Sequence, residues 1–130
     1  MRTYWWGSLL LVLLGCGPKE PFPVSVSGVV KLEGKPLVAG RISFITPGKV
    51  PEILEIVDGR FSGKVMTGER RVEIAAYRPY QIPADIPKSM HALMKDGKEN
   101  YLPEKYSRNS ELTANVKDMG NNEFTFDLAP

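Results

Sequence analysis

The chain has 130 residues, 17 basic and 15 acidic, for a formal net charge of +2. That length holds one domain with a single core, and charges of both signs interspersed without runs exclude a nucleic-acid binder or a polybasic membrane surface. One cysteine excludes an internal disulfide framework, so the fold must rest on apolar packing.

Residues 1–15 read as an export signal. Arg2 gives a positive start, residues 4–14 an apolar stretch, and Leu13-Leu14-Gly15-Cys16 the close. The stretch is about half of the ~20 residues a bilayer-spanning helix needs. A positive start, a short apolar run and a small residue mark a segment that is cut off. The last four residues resemble the bacterial lipobox, in which a leucine and two small residues precede a lipidated cysteine; Leu14 stands where a smaller side chain is usual. The resemblance implies cleavage before Cys16 and lipid attachment on its sulfur. A lone cysteine in an exported chain otherwise reads as incidental or as half of an intermolecular disulfide. Its place at the cleavage junction favours lipid, which anchors by about 0.8 kcal/mol per buried methylene. Residues 16–23 then form an extended tether, because Pro18, Pro21 and Pro23 cannot continue a helix.

From Val24 the apolar residues alternate. Val24, Val26, Val30 and Leu32 share one face of a first strand, with Ser25, Ser27 and Lys31 on the other and Gly28 marking a bulge or close packing. After the Glu33-Gly34-Lys35-Pro36 turn, Ile42 and Phe44 alternate with Arg41 and Ser43. Residues 52–57 form a third strand whose facing the sequence leaves open, and Asp58-Gly59 is a two-residue hairpin signal. Phe61 and Val65 follow, then Val72, Ile74 and Ala76 beyond Thr67-Gly68. Leu112, Ala114 and Val116 form the sixth strand, and Phe124, Phe126 and Leu128 the seventh. Seven short strands with one apolar face each predict an all-β domain over residues 24–130, a two-layer, immunoglobulin-like antiparallel β-sandwich.

Residues 78–110 are too long for an ordinary connection, and Pro79, Pro83, Pro87 and Pro103 break them up. Residues 88–95 fit a short helical turn with Met90, Leu93 and Met94 inward. The rest of this irregular loop either packs its apolar residues over one end of the sandwich or carries a binding site.

Gly28 to Leu37, running through Lys31-Leu32-Glu33-Gly34-Lys35-Pro36, resembles the opening of carboxypeptidase regulatory-like domains. Asp58-Gly59-Arg60-Phe61 matches that family's next hairpin, and Gly68-Glu69-Arg70-Arg71-Val72 its following glycine turn and strand. Leu102-Pro103-Glu104-Lys105-Tyr106 and the Ser110-Glu111-Leu112 strand look like those of small lipoproteins abundant in planctomycete bacteria. The resemblance implies a transthyretin-like, seven-stranded sandwich on the cell surface, and it brings no catalytic residues.

The residues themselves hold little chemistry. His91 is the lone histidine, no serine sits in a Gly-x-Ser-x-Gly turn, and Cys16 is committed to lipid. Transthyretin-like hydroxyisourate hydrolases carry several histidines and a C-terminal Tyr-Arg-Gly-Ser, whereas this chain ends Asp127-Leu128-Ala129-Pro130. His91 and Asp96 fall short of the three or four ligands of a zinc site, and no calcium-loop spacing occurs. No cofactor, metal or catalytic site is therefore expected. Tyr77, Tyr80, Tyr101 and Tyr106, with Arg78 and Arg108, bracket the long loop; such residues favour binding surfaces, and equally they can cover the sandwich edge and bond loop backbone. The expected function is a non-enzymatic lipoprotein anchored through Cys16, facing the periplasm or exterior, whose sandwich binds an envelope protein or polysaccharide. The alternatives are a purely structural envelope component and a small hydrolase using His91.

Overall fold

A computed structural model of the chain describes residues 20–95 and 97–130. The export signal, Cys16, the tether up to Lys19, and Asp96 lie outside the described residues.

The domain is all-β. Its strands are β1 (Pro23–Leu32), β2 (Lys35–Pro36), β3 (Ala39–Ile45), β4 (Glu52–Val57), β5 (Arg60–Met66), β6 (Gly68–Ala75), β7 (Tyr77–Pro79), β8 (Lys98–Asn100), β9 (Thr113–Val116) and β10 (Glu123–Leu128). One helix, α1 (Lys88–Met94), and a 3-10 turn, Glu104–Tyr106, interrupt them. Eight strands form one curled sheet in the order β10-β1-β5-β4-β3-β6-β9, with β2 on β1; β7 and β8 make a separate ribbon. The seven strands of the main path are those expected from the sequence, six from the alternation of apolar residues and β4 from the turn signals that flank it.

The turns follow from local chemistry. Asp58 and Gly59 have φ of 50° and 78°, and Glu33 and Gly34 have φ of 53° and 79°. Two-residue hairpins of type I′ need this positive φ at both central positions, which matches the twist of the flanking strands. Val57 pairs with Arg60 across the first and Leu32 with Lys35 across the second. Beyond Val57–Arg60, β4 and β5 diverge: β4 continues along β3 and β5 along β1.

Strand direction sorts the connections. β1, β4, β6 and β10 run one way, while β2, β3, β5 and β9 run the other. At the proximal end the chain enters β1, and the connections at 46–51, 67 and 117–122 turn there. The distal end holds the 33–34 and 58–59 turns, the 76–112 excursion and the C-terminus. This alternation also explains an unannounced feature: having reversed after β9, β10 travels with β1 and pairs with it in parallel, from Ser27–Glu123 to Leu32–Leu128.

The core lies inside the curl. Ile42, Phe44, Ile56, Val65, Val72 and Ile74 are buried, and the Phe44 ring on β3 lies 6.1 Å from Phe61 on β5 and 6.4 Å from Phe124 on β10. Gly28 makes that approach possible. A Cβ there would sit 2.2 Å from the Phe124 carbonyl oxygen and 2.5 Å from Cζ of Phe61, so the position is one of close packing. On β4 the open facing is settled: Leu54 and Ile56 turn inward, while Ile53 and Val57 are exposed.

The excursion is more ordered than its prolines announce, and one expectation needs correction. α1 buries none of its residues: Met90 and Leu93 face solvent and Met94 is half-buried. Leu102 and Tyr106 seal the distal core in their place. A seven-residue helix that packs no side chain into the core has no apolar face to cover.

Candidate functional site

Sheet chemistry decides what reaches the outer face. On β3, β4 and β6 the outward positions include Arg41, Ser43, Ile53, Glu55, Glu73 and Ala75. Arg41 lies opposite Glu55 on one side and Ala75 on the other, and its Nε donates to Glu55 Oε1 at 3.0 Å. Tyr77, just past β6, and the 107–108 backbone rise as walls beside this surface. They enclose an open basin of about 500 Å³ over Ser43, Ile53 and Glu73 that Arg108 also lines. A second hollow of about 400 Å³ adjoins it through Arg41 and Tyr77 and reaches Lys98. A third, about 670 Å³, lies on the outer face of β10, β1 and β5 around Val29 and Val57.

The six residues singled out in the sequence fall into two pairs and two single positions. Tyr77, 51% exposed, and Arg108 meet in the basin, and Arg108 has no ion-pair partner among the described residues. Arg78 and Tyr101 form a second patch on the ribbon: Arg78 Nε donates to Glu99 Oε1 at 2.8 Å, and its guanidinium lies 5.7 Å from the Tyr101 ring centre. Tyr80 is half-buried and its amide donates to the Gly97 carbonyl at 2.8 Å, fixing the end of the ribbon. Tyr106 stands apart. It is only 8% exposed, and its hydroxyl accepts the Ala129 amide at 2.7 Å, so it closes the core rather than facing a partner.

Arg71 positions the basin wall, and the sequence alone marks it only as an outward-facing charge. Its guanidinium donates to the carbonyls of Ser107 (3.2 Å), Arg108 (2.9 Å) and Ser110 (3.0 Å), and to Glu73 Oε1 at 2.6 Å. Ser110 completes the clamp: its buried hydroxyl donates to the Val72 carbonyl and accepts the Leu112 amide. The fork geometry of arginine suits several acceptors at once, which lysine cannot match. Arg71→Ala is expected to cost about 2 kcal/mol of stability, the scale of losing charge-assisted bonds. Hydrogen exchange at the Asn109 and Ser110 amides should accelerate more than exchange in β1.

Asn100 fastens the ribbon to the sheet, its Oδ1 accepting the amides of Ala76 and Leu102. His91 is half-buried, and its Nε2 donates to the Ile86 carbonyl at 2.9 Å, tying α1 to the segment before it. Among the described residues no three His, Cys, Asp or Glu side chains converge to hold a metal ion, and no helix is long and apolar enough to cross a membrane. No family model, curated protein or solved structure matches this chain.

Proposed function

We propose that the protein is a non-enzymatic envelope lipoprotein, anchored through Cys16, whose β-domain holds a binding surface for an envelope protein or polysaccharide. The curled sheet is read as a transthyretin-like sandwich. Its two layers are β10-β1-β5 and β4-β3-β6-β9, joined at the Val57–Arg60 hairpin. The resemblance to planctomycete lipoproteins with carboxypeptidase regulatory-like domains supplies the location.

The observation that carries the reading is the polarity of the domain. The chain enters at the proximal end, where Thr67 donates its amide to the Phe22 carbonyl at 2.9 Å. Exposed Tyr77, Arg78 and Tyr101 lie at the distal end, and the basin runs from Tyr77 along the outer face to Arg108. An anchor at one end and tyrosine–arginine surface toward the other is the layout of a displayed recognition module. His91, engaged with the Ile86 carbonyl, is assigned to positioning α1.

The test replaces Tyr77 and Arg108 together by alanine in the full chain and compares the envelope components cross-linked to it. The expected result is loss of specific cross-linked species with an unchanged unfolding midpoint, since both side chains are exposed. Identical cross-linking by the two proteins would leave the purely structural role as the better reading.

A further inference from the structure

Large exposed apolar side chains lie at both ends of the domain and on its outer face. Phe22, Val50 and Met119 stand at the proximal end, on three separate connections, with Val50 86% and Met119 82% exposed. Each is held in place by hydrogen bonds. The Phe22 amide donates to Thr67 Oγ1 at 3.2 Å while its carbonyl accepts the Thr67 amide. The turn before Val50 is closed by the Lys49 amide on the Thr46 carbonyl at 3.1 Å. Asn122, itself buried, accepts the Lys117 amide at 2.8 Å through Oδ1 and donates to the Lys117 carbonyl at 2.9 Å through Nδ2, bracing the loop that presents Met119. The fold thus builds three fixed apolar tips at one end of the sheet.

The covalent chain says what lies opposite that end. An extended chain gains at most about 3.6 Å per residue, so the stretch from Cys16 to Phe22 spans roughly 20 Å or less. With Cys16 lipidated, the proximal end can never be farther than that from the bilayer surface. No basic excess surrounds the tips: Lys49, Lys64, Arg70 and Lys117 are met by Glu20, Glu52, Glu69, Asp118 and Glu123. Contact here therefore depends on apolar insertion and not on anionic lipid.

We propose that Phe22, Val50 and Met119 form a membrane-contact surface that seats the proximal end of the domain on the lipid headgroup layer. The inference rests on the reading of Cys16 as a lipid anchor. The tether keeps the tips at high effective concentration beside the bilayer, so that an apolar contact too weak to recruit a free domain suffices to orient a tethered one. Seated this way, the domain holds its strands off the membrane, and the ribbon, α1 and Tyr77 point away from it.

The tryptophans of the chain, Trp5 and Trp6, fall within the segment removed at Cys16, which leaves the mature protein free for a single reporter. Val50→Trp, Met119→Trp and, at the distal end, Leu93→Trp are each introduced into the full lipidated chain. The proteins are reconstituted into phosphatidylcholine vesicles in which part of the lipid carries brominated acyl chains. All three positions are exposed, so folding should tolerate the changes. Val50→Trp and Met119→Trp are expected to be quenched several-fold more strongly than Leu93→Trp, with blue-shifted emission that added salt leaves unchanged. Firm partition into vesicles with equal, weak quenching at all three sites would overturn the proposal while leaving the anchor intact. Failure to partition at all would overturn the anchor and the proposal with it. A blue shift without quenching, growing with protein concentration, would assign the tips to a second copy of the chain or another protein, and overturn the lipid contact.

Discussion

Phe44→Ala should lower the stability of the domain by about 4 kcal/mol, the range found when a fully buried phenylalanine is cut to alanine. Phe44 is completely buried and is the one aromatic ring of β3, where it meets Phe61 and Phe124 from strands on the other side of the curl. Removing it takes away transfer free energy and leaves a cavity, because β1 and β6 are fixed by their own ladders and cannot collapse into the gap. A domain of this size is typically stable by about 5–15 kcal/mol, so the variant would lie near the edge of folding. Phe44→Leu, which keeps most of the volume, should cost only about 1.5 kcal/mol. The ring pair is checked by a double-mutant cycle in urea: Phe44→Leu and Phe61→Leu should show a coupling of about 1 kcal/mol. A loss under about 1 kcal/mol for Phe44→Ala would mean that the two sides of the sheet do not pack on each other as described.

The strands were legible because their signal is local. Val24, Val26, Val30 and Leu32 alternate with polar residues, and Asp58-Gly59 has the composition a tight hairpin demands. Where both faces are apolar, the period carries no information. Ile53, Leu54, Ile56 and Val57 could lie either way, and only pairing with β3, in which Ile42 opposes Leu54, turns Leu54 and Ile56 inward. The parallel partnership of β1 with β10 was illegible for a different reason. It depends on the whole sequence of reversals between them and leaves no mark in either strand.

The long excursion divides along the same line. Its helix was readable from the spacing of Met90, Leu93 and Met94, yet its burial was not, since that depends on what lies beneath a helix. Tyr106 has the same composition signal as Tyr77. Burial separates them, through an amide at Ala129 that is remote in sequence. The basin shows the limit most clearly. Tyr77 and Arg108 were candidates by residue type, whereas Ser43, Ile53 and Glu73 come from three strands whose neighbourhood exists only in the folded sheet. Arg71 was missed because a clamp on backbone carbonyls has no sequence pattern of its own.

The second large effect concerns Cys16, on which the proposed location depends. It is the sole cysteine of the sequence, and Phe22, at the proximal end of the domain, follows it six positions later. Each acyl chain contributes about 0.8 kcal/mol per buried methylene, so two or three chains make escape from the membrane negligible on any cellular timescale. Serine at position 16 would accept no thioether-linked lipid. It should convert a protein retained wholly by membranes into one released wholly to the soluble fraction, with no change in unfolding midpoint. The apolar tips Phe22, Val50 and Met119 would not prevent release, because without the lipid their contact is too weak to hold the domain.

The most direct measurement is metabolic labelling with radioactive palmitate, followed by detergent phase partition, of the wild-type chain beside Cys16→Ser. A labelled wild-type protein in the detergent phase and an unlabelled Cys16→Ser protein in the aqueous phase are expected. An unlabelled wild-type chain, or equal partition of the two proteins, would contradict the lipid anchor at Cys16.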